Sequence, residues 1–296
     1  MGEDRNVREP SHSVPGETSR REFVALSAAT GLAAAAPVSA RGSPVVEKDV
    51  SIQTPDGTCD AAFIYPATGS HPGVLIWTDI FGLRPTFREF GRRLAIQGYA
   101  VLVPNPFYRT QKAPVITEEE IKTFSFQTGR QKMQEWTGPM NAPGAIEKDA
   151  TAYVGFLDAQ RQVSKMHKVG TQGYCMGGPL VVRTAAQVPE RVGAGATFHG
   201  GGLVTDKPDS PHLLAPKIKA QMYFAIAASD DARQPDAKDK LREAFPTAKV
   251  EVFANTFHGW CVPDMPPQQS GMPTYNHADA ERAWSNLLAL YRQALA

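Results

Sequence analysis

The sequence predicts an α/β domain: a mostly parallel central sheet with helices on both faces. Three observations carry this. Short, unbroken apolar runs recur along the chain, as at Gly73-Val74-Leu75-Ile76-Trp77, and read as strands buried on both faces. Segments with helical apolar spacing separate them. An alternating hairpin pattern precedes the first such run, which places an antiparallel pair at one end of an otherwise strand–helix–strand chain.

The elements follow in order. Val45 to Thr54 alternates, Pro55-Asp56-Gly57 turns, and Asp60 to Tyr65 returns as the second arm of the hairpin. After the strand at Gly73–Trp77, residues Thr86 to Gln97 place Phe87, Phe90 and Leu94 on one helical face, and Gly98 ends the helix. Tyr99 to Val103 is the next strand. Thr117-Glu118-Glu119-Glu120 has the form of a capping box opening a short helix. Ser125 to Pro143 has no clear period and reads as a long loop. Helices are expected over Ile146–Gln160, Met176–Gln187, Pro235–Ala244 and Ala278–Leu295. Strands are expected over Lys168–Gln172, Ala194–Phe198, Met222–Ala227 and Val250–Ala254. Gly200 to Pro216 is left unassigned by periodicity. No internal repeat or linker divides this region, so one domain is expected over residues 41–296.

Composition narrows the function. The 296 residues are 42% hydrophobic and 21% charged, ordinary for a globular protein and unlike a disordered or collagen-like chain. A net charge of +1 gives no reason to expect nucleic acid or an anionic membrane as partner. Three scattered cysteines without a C-x-x-C pair make neither a disulfide framework nor a four-ligand zinc site. No H-x-H or H-E-x-x-H pattern groups the histidines, so no metal or cofactor is expected. Residues 1–40 read as an address. Ser19-Arg20-Arg21-Glu22-Phe23 carries a twin arginine, an Ala/Leu/Val-rich run follows, and Val38-Ser39-Ala40 offers small residues to a signal peptidase. This resembles a twin-arginine (Tat) export signal, with the Tat machinery as partner and a periplasmic or secreted destination. The run ends at Pro37 and is short of the ~20 residues of a membrane span, so stable insertion is not expected.

The chemistry concentrates in Gly173-Tyr174-Cys175-Met176-Gly177-Gly178, between a strand and a helix. This is the form of a nucleophile elbow, with cysteine in place of serine. The nucleophile occupies a strained turn, and the residues two before and two after it must be small to let strand and helix approach. The turn leaves Cys175 at the amino end of a helix, where the dipole favours a thiolate and the Met176 N–H can face an oxyanion. A base and an orienting acid should follow in the order nucleophile, acid, histidine. Asp230, after the strand Met222–Ala227, and His258, after the last strand, satisfy it. Asp231 is the alternative acid. His199 also follows a strand but has no acid at the matching place, so it reads as pocket lining. His212 and His277 read as loop or surface residues.

These motifs together resemble the dienelactone hydrolase (carboxymethylenebutenolidase) family over about Val46 to Leu290. Further marks are Asp79-Ile80-Phe81-Gly82-Leu83, Leu94-Ala95-Ile96-Gln97-Gly98-Tyr99 and Val103-Pro104-Asn105-Pro106-Phe107-Tyr108-Arg109. The resemblance implies an α/β-hydrolase fold and hydrolysis of a lactone or ester through an acyl-cysteine. It implies that the Ile80 N–H joins that of Met176 in the oxyanion hole and that Arg109 contacts a substrate carboxylate. It also implies that the carboxylate at position 79, aspartate here where the family has glutamate, contacts the resting thiol. The family's second carboxylate-binding arginine, four residues past the histidine, is Val262 here. Two other readings stand beside the hydrolase: a catalytically silent periplasmic binding protein on the same fold, and a redox-active thiol protein in which Cys261 reaches Cys175.

Overall fold

A computed structural model describes residues 44–295. The expected export signal and the boundary at Arg41 lie outside them. Eight strands form one sheet: β1 (Val45–Thr54), β2 (Gly57–Pro66), β3 (Gly73–Trp77), β4 (Ala100–Pro104), β5 (Val169–Tyr174), β6 (Val192–Phe198), β7 (Gln221–Ala227) and β8 (Lys249–Phe253), in the spatial order β1-β2-β4-β3-β5-β6-β7-β8. The hairpin β1–β2 and the β2–β4 pair are antiparallel, and every other pair is parallel. The order follows from the sequence pattern. The all-apolar strands β3 and β4 are buried along their whole length in the middle of the sheet. β1 lies at the edge, and from Asp49 onward every second residue is exposed.

Helices cover both faces. On one face, α1 (Pro85–Ile96) and α8 (His277–Ala294) meet through Phe90 and Trp284, whose rings lie 5.8 Å apart. On the other, α4 (Ala145–Ala159) packs beside α5 (Gly177–Gln187). In α8, Trp284, Leu287 and Tyr291 are buried as their spacing predicts, while Leu288 is half-buried. The short helix α2 (Glu118–Lys122) opens with the expected capping box: Thr117 Oγ1 accepts from the Glu120 N–H, and the Glu120 carboxylate accepts from the Thr117 N–H.

One expectation needs correction, and two short elements add to those expected. Ser125–Pro143 is not all loop, because α3 (Arg130–Met140) lies inside it. Only Trp136 and Met140 of α3 are buried, so no apolar stripe signals it. Pro139 removes the bond the Glu135 carbonyl would receive from an i+4 N–H, and the Thr110 hydroxyl donates to that carbonyl instead at 3.2 Å. The helix expected over Pro235–Ala244 is present as α7 (Ala237–Ala244), and a further short helix, α6 (Ala228–Arg233), precedes it, with Pro235 between the two. Within the unassigned Gly200–Pro216 stretch begins a 3₁₀ turn, Pro211–Lys217.

The chain order reverses between β3 and β5: β4 lies on one side of β3 and β5 on the other. The carboxyl ends of the parallel strands share one edge, and a crevice opens there at such a switch point. Ile80 follows β3, Cys175 follows β5, His199 follows β6, Asp230 follows β7 and His258 follows β8. The topology alone therefore gathers them.

Candidate active site

Cys175 sits in the left-handed region at φ 53°, between β5 and α5. Its carbonyl accepts from Gly178 and Gly201, and its N–H donates to the Phe198 carbonyl at 3.0 Å. The flanking glycines are required by space. A Cβ at Gly173 would lie 2.2 Å from the Gly177 carbonyl oxygen, and one at Gly177 would lie 2.6 Å from those of Trp77 and Thr78. The turn thus packs against the end of β3, and the thiol is presented rather than buried. Met176 and Ile80 both border the cleft at Cys175. Among the described residues their backbone N–H groups have no acceptor, as two donors reserved for an oxyanion would.

Asp230 and His258 come together as expected. His258 Nδ1 donates to the Asp230 carboxylate at 2.8 and 3.0 Å. Asp231 instead pairs with Lys238 at 2.7 Å, which leaves Asp230 as the orienting acid. Two residues that sequence reasoning missed lace this pair into place. Ser229 Oγ accepts from the His258 backbone N–H at 2.9 Å, and Thr256 Oγ1 accepts from the Ala228 N–H while donating to the Phe253 carbonyl. The signal was present as a hydroxyl residue next to the acid and another two before the histidine, but only the fold pairs them. Burial opposes a charge on His258. The Cys175 sulfur and the Asp230 carboxylate outweigh it and raise the imidazole to about 10.

The three expected substrate-binding residues are elsewhere. Asp79 is fully buried; its carboxylate accepts two bonds from Arg84 and one from the Phe81 N–H. It does not line the cleft. Arg84, also buried, donates two further bonds to Asp264 at 2.7 and 2.8 Å and one to the Gly82 carbonyl at 3.3 Å. Its only sequence signal was a cation inside the apolar stretch Ile80-Phe81-Gly82-Leu83-Arg84-Pro85. Arg109 is spent on Asp149 and Asp56, at 2.7 and 2.8 Å, and Tyr108 donates to the same Asp149. His199 does not line the pocket. It is fully buried behind His258, ring edge to ring face with centroids 4.9 Å apart. Burial, with His258 beside it, pushes its imidazole well below the usual histidine range, so it stays neutral. Its Nδ1 faces Cys261 Sγ at 3.4 Å. Cys261 is thus buried against His199, and all three cysteines are free, so no disulfide links it to Cys175. His277 is exposed at the start of α8, and half-buried His212 is bonded to Ser210, both apart from the cleft.

The cleft above Cys175 and His258 encloses about 680 Å³. Its lining includes Phe124, Phe126 and Met133 from the segment between β4 and α4, and Met265, Pro266 and Pro267 from the segment after His258. A size of this order suits a small-molecule ligand.

A parallel sheet with a nucleophile at the β5–α5 elbow, an acid after β7 and a histidine after β8 defines an α/β hydrolase. The family model described as "Dienelactone hydrolase family" matches residues 59–295, and the chain belongs to that family. It is 28% identical over 266 residues to a carboxymethylenebutenolidase of Rhodococcus opacus, covering 86% of this chain and 95% of that one. A protein of Methylorubrum extorquens that carries the same name provisionally is 27% identical over 292 residues, with 93% of each chain covered. Among solved structures, the dienelactone hydrolase-like promiscuous phosphotriesterase P91 from metagenomic libraries superposes with a TM-score of 0.67 at 23% identity, over 85% of this chain and 99% of that one. The chain is a dienelactone hydrolase-like hydrolase.

Proposed function

We propose that the protein cleaves a carboxylic ester or lactone through an acyl-cysteine at Cys175. The observation that carries this reading is the elbow: Cys175 at φ 53° beside two unpartnered N–H groups and a His258–Asp230 pair at 2.8 Å. The thiolate adds to the substrate carbonyl carbon, and the Ile80 and Met176 N–H groups take the oxyanion. As the carbon–oxygen bond to the leaving group breaks, the imidazolium of His258 gives it a proton. The thioester that remains carries no charge, so the chief upward influence on His258 disappears and the ring becomes a neutral base. It takes a proton from water, whose oxygen adds to the thioester. Collapse expels the Cys175 thiolate and the acid, and His258 is again an imidazolium beside a thiolate. Asp230 keeps its Nδ1 bond throughout and fixes the tautomer.

Intact-protein mass spectrometry after rapid mixing with aryl esters and lactones tests this. The expected result is a transient acyl mass lost on mutation of Cys175; turnover without such an adduct, persisting in Cys175→Ala, would refute it. We also propose that residues 1–40 direct Tat export of the folded enzyme; the twin arginine and the apolar run support this.

A further inference from the structure

We propose that this active site selects an uncharged ester whose aromatic or bulky apolar part lies against the Phe124–Phe126 and Met265–Pro267 parts of the cleft lining, and that it discriminates against substrates bearing a carboxylate. The proposal rests on the hydrolase reading above and names its substrate class.

The cleft walls are apolar. Phe124 and Phe126 pack edge to face at 5.4 Å, and Phe81 supports both from behind at 5.1 and 5.9 Å. Phe126 is 44% exposed, a large ring that faces open space beside the nucleophile. Met133 and Met265, both lining the cleft, offer polarisable thioethers, which fit flat rings well. The polar side chains at the rim, Ser125, Gln268, Gln269 and Thr274, are neutral.

Neither Arg109 nor Arg84 is available to an entering anion. Arg109 holds Asp56 and Asp149 away from the cleft. Arg84 is buried between Asp79 and Asp264. Val262, at the place of the family's second arginine, is fully buried and apolar. Two cations border the cleft among the described residues, and both are engaged by Asp230: the His258 ring at 2.8 Å and Arg233 at 2.9 Å. A carboxylate entering this space would lose water without gaining an unmatched positive partner, and that is unfavourable. An aromatic ring loses nothing polar and gains contact with Phe126 and the two methionines.

The test compares kcat/KM for three 4-nitrophenyl esters: of phenylacetic acid, of 4-carboxyphenylacetic acid, and of the ring methyl ester of the latter. The charge is then the main variable. The phenylacetate is expected to exceed the carboxylate-bearing ester by about 10- to 100-fold, and methylation of the carboxylate is expected to recover most of the loss. Phe126→Lys adds a cation at an exposed position and should narrow the ratio about tenfold or more. Equal or faster turnover of the carboxylate-bearing ester, with Cys175 still acylated by mass spectrometry, would overturn this inference alone. No turnover and no acylation of Cys175 by any of the three would overturn the hydrolase reading, and this inference with it.

Discussion

Asp79 and Arg84 form a buried bidentate pair, with two N–H groups of the guanidinium donating to the two carboxylate oxygens at 2.7 and 2.9 Å. The pair explains why the expected contact between Asp79 and the resting thiol is absent. Aspartate is one methylene shorter than the glutamate the family carries, and both its oxygens are engaged. Arg84 also lies over the Phe87 ring at 4.8 Å and bonds Asp264, so one side chain ties the β3–α1 turn to the segment after His258.

Removing Arg84 would leave Asp79 fully buried without a counter-charge. Arg84→Met is therefore expected to lower unfolding free energy by about 3–5 kcal/mol. Urea unfolding followed by fluorescence measures it. A loss under 1 kcal/mol would show that the pair is not structural.

Cys175→Ala should abolish acylation and turnover, since alanine offers no nucleophile. Cys59→Ala should leave activity in place. Cys59 is buried, accepts a bond from the Tyr153 hydroxyl at 3.2 Å, and burial pushes its thiol up to about 12. Retained activity in Cys175→Ala would end the acyl-cysteine reading.

The pH dependence should split between the two half-reactions. In the free enzyme His258 sits at about 10, raised by Cys175 and Asp230 against burial. Acylation needs the imidazolium as proton donor and should be lost as pH rises through about 10. Deacylation needs the neutral ring, whose pKa falls once the thioester removes the charge on the Cys175 sulfur, so its rise with pH should lie below the range in which acylation is lost. Single-turnover kinetics separate the two steps. Titration of His258 by NMR in Cys175→Ala should show its pKa lowered; an unchanged value would mean that Cys175 does not raise it.

Ser229 acts on the reaction through His258, as a positioning residue. Ser229→Ala removes the 2.9 Å bond to the His258 N–H and is expected to lower kcat about fivefold with little change in KM. Ser229→Thr should restore most of the rate. A change confined to stability would assign Ser229 a structural role only.

Export is tested on the first 40 residues. Replacing Arg20 and Arg21 together by lysine should leave the full-length precursor in the cytoplasm, because a receptor reads the pair. Fractionation and immunoblotting measure it. Normal export of the double variant would assign another signal type.

The sequence by itself determined the strands buried on both faces, the elbow with its obligatory Gly173 and Gly177, and the order Cys175, Asp230, His258. Local physics specifies each of these: unbroken apolar runs, a turn only glycine neighbours can flank, and residues placed just past strand ends. It left α3 unread, because a helix burying only Trp136 and Met140 carries almost no period. The tertiary structure decided which charges are spent. Asp149 lies 40 residues from Arg109 and Asp264 lies 180 residues from Arg84, so neither pairing is visible in a local pattern. It also decided that His199 backs His258 instead of lining the cleft, and that Phe124, Phe126 and Met265 face the same space. Strand ends are fixed by near neighbours, whereas the partners of a side chain depend on which distant segments the sheet brings to one edge.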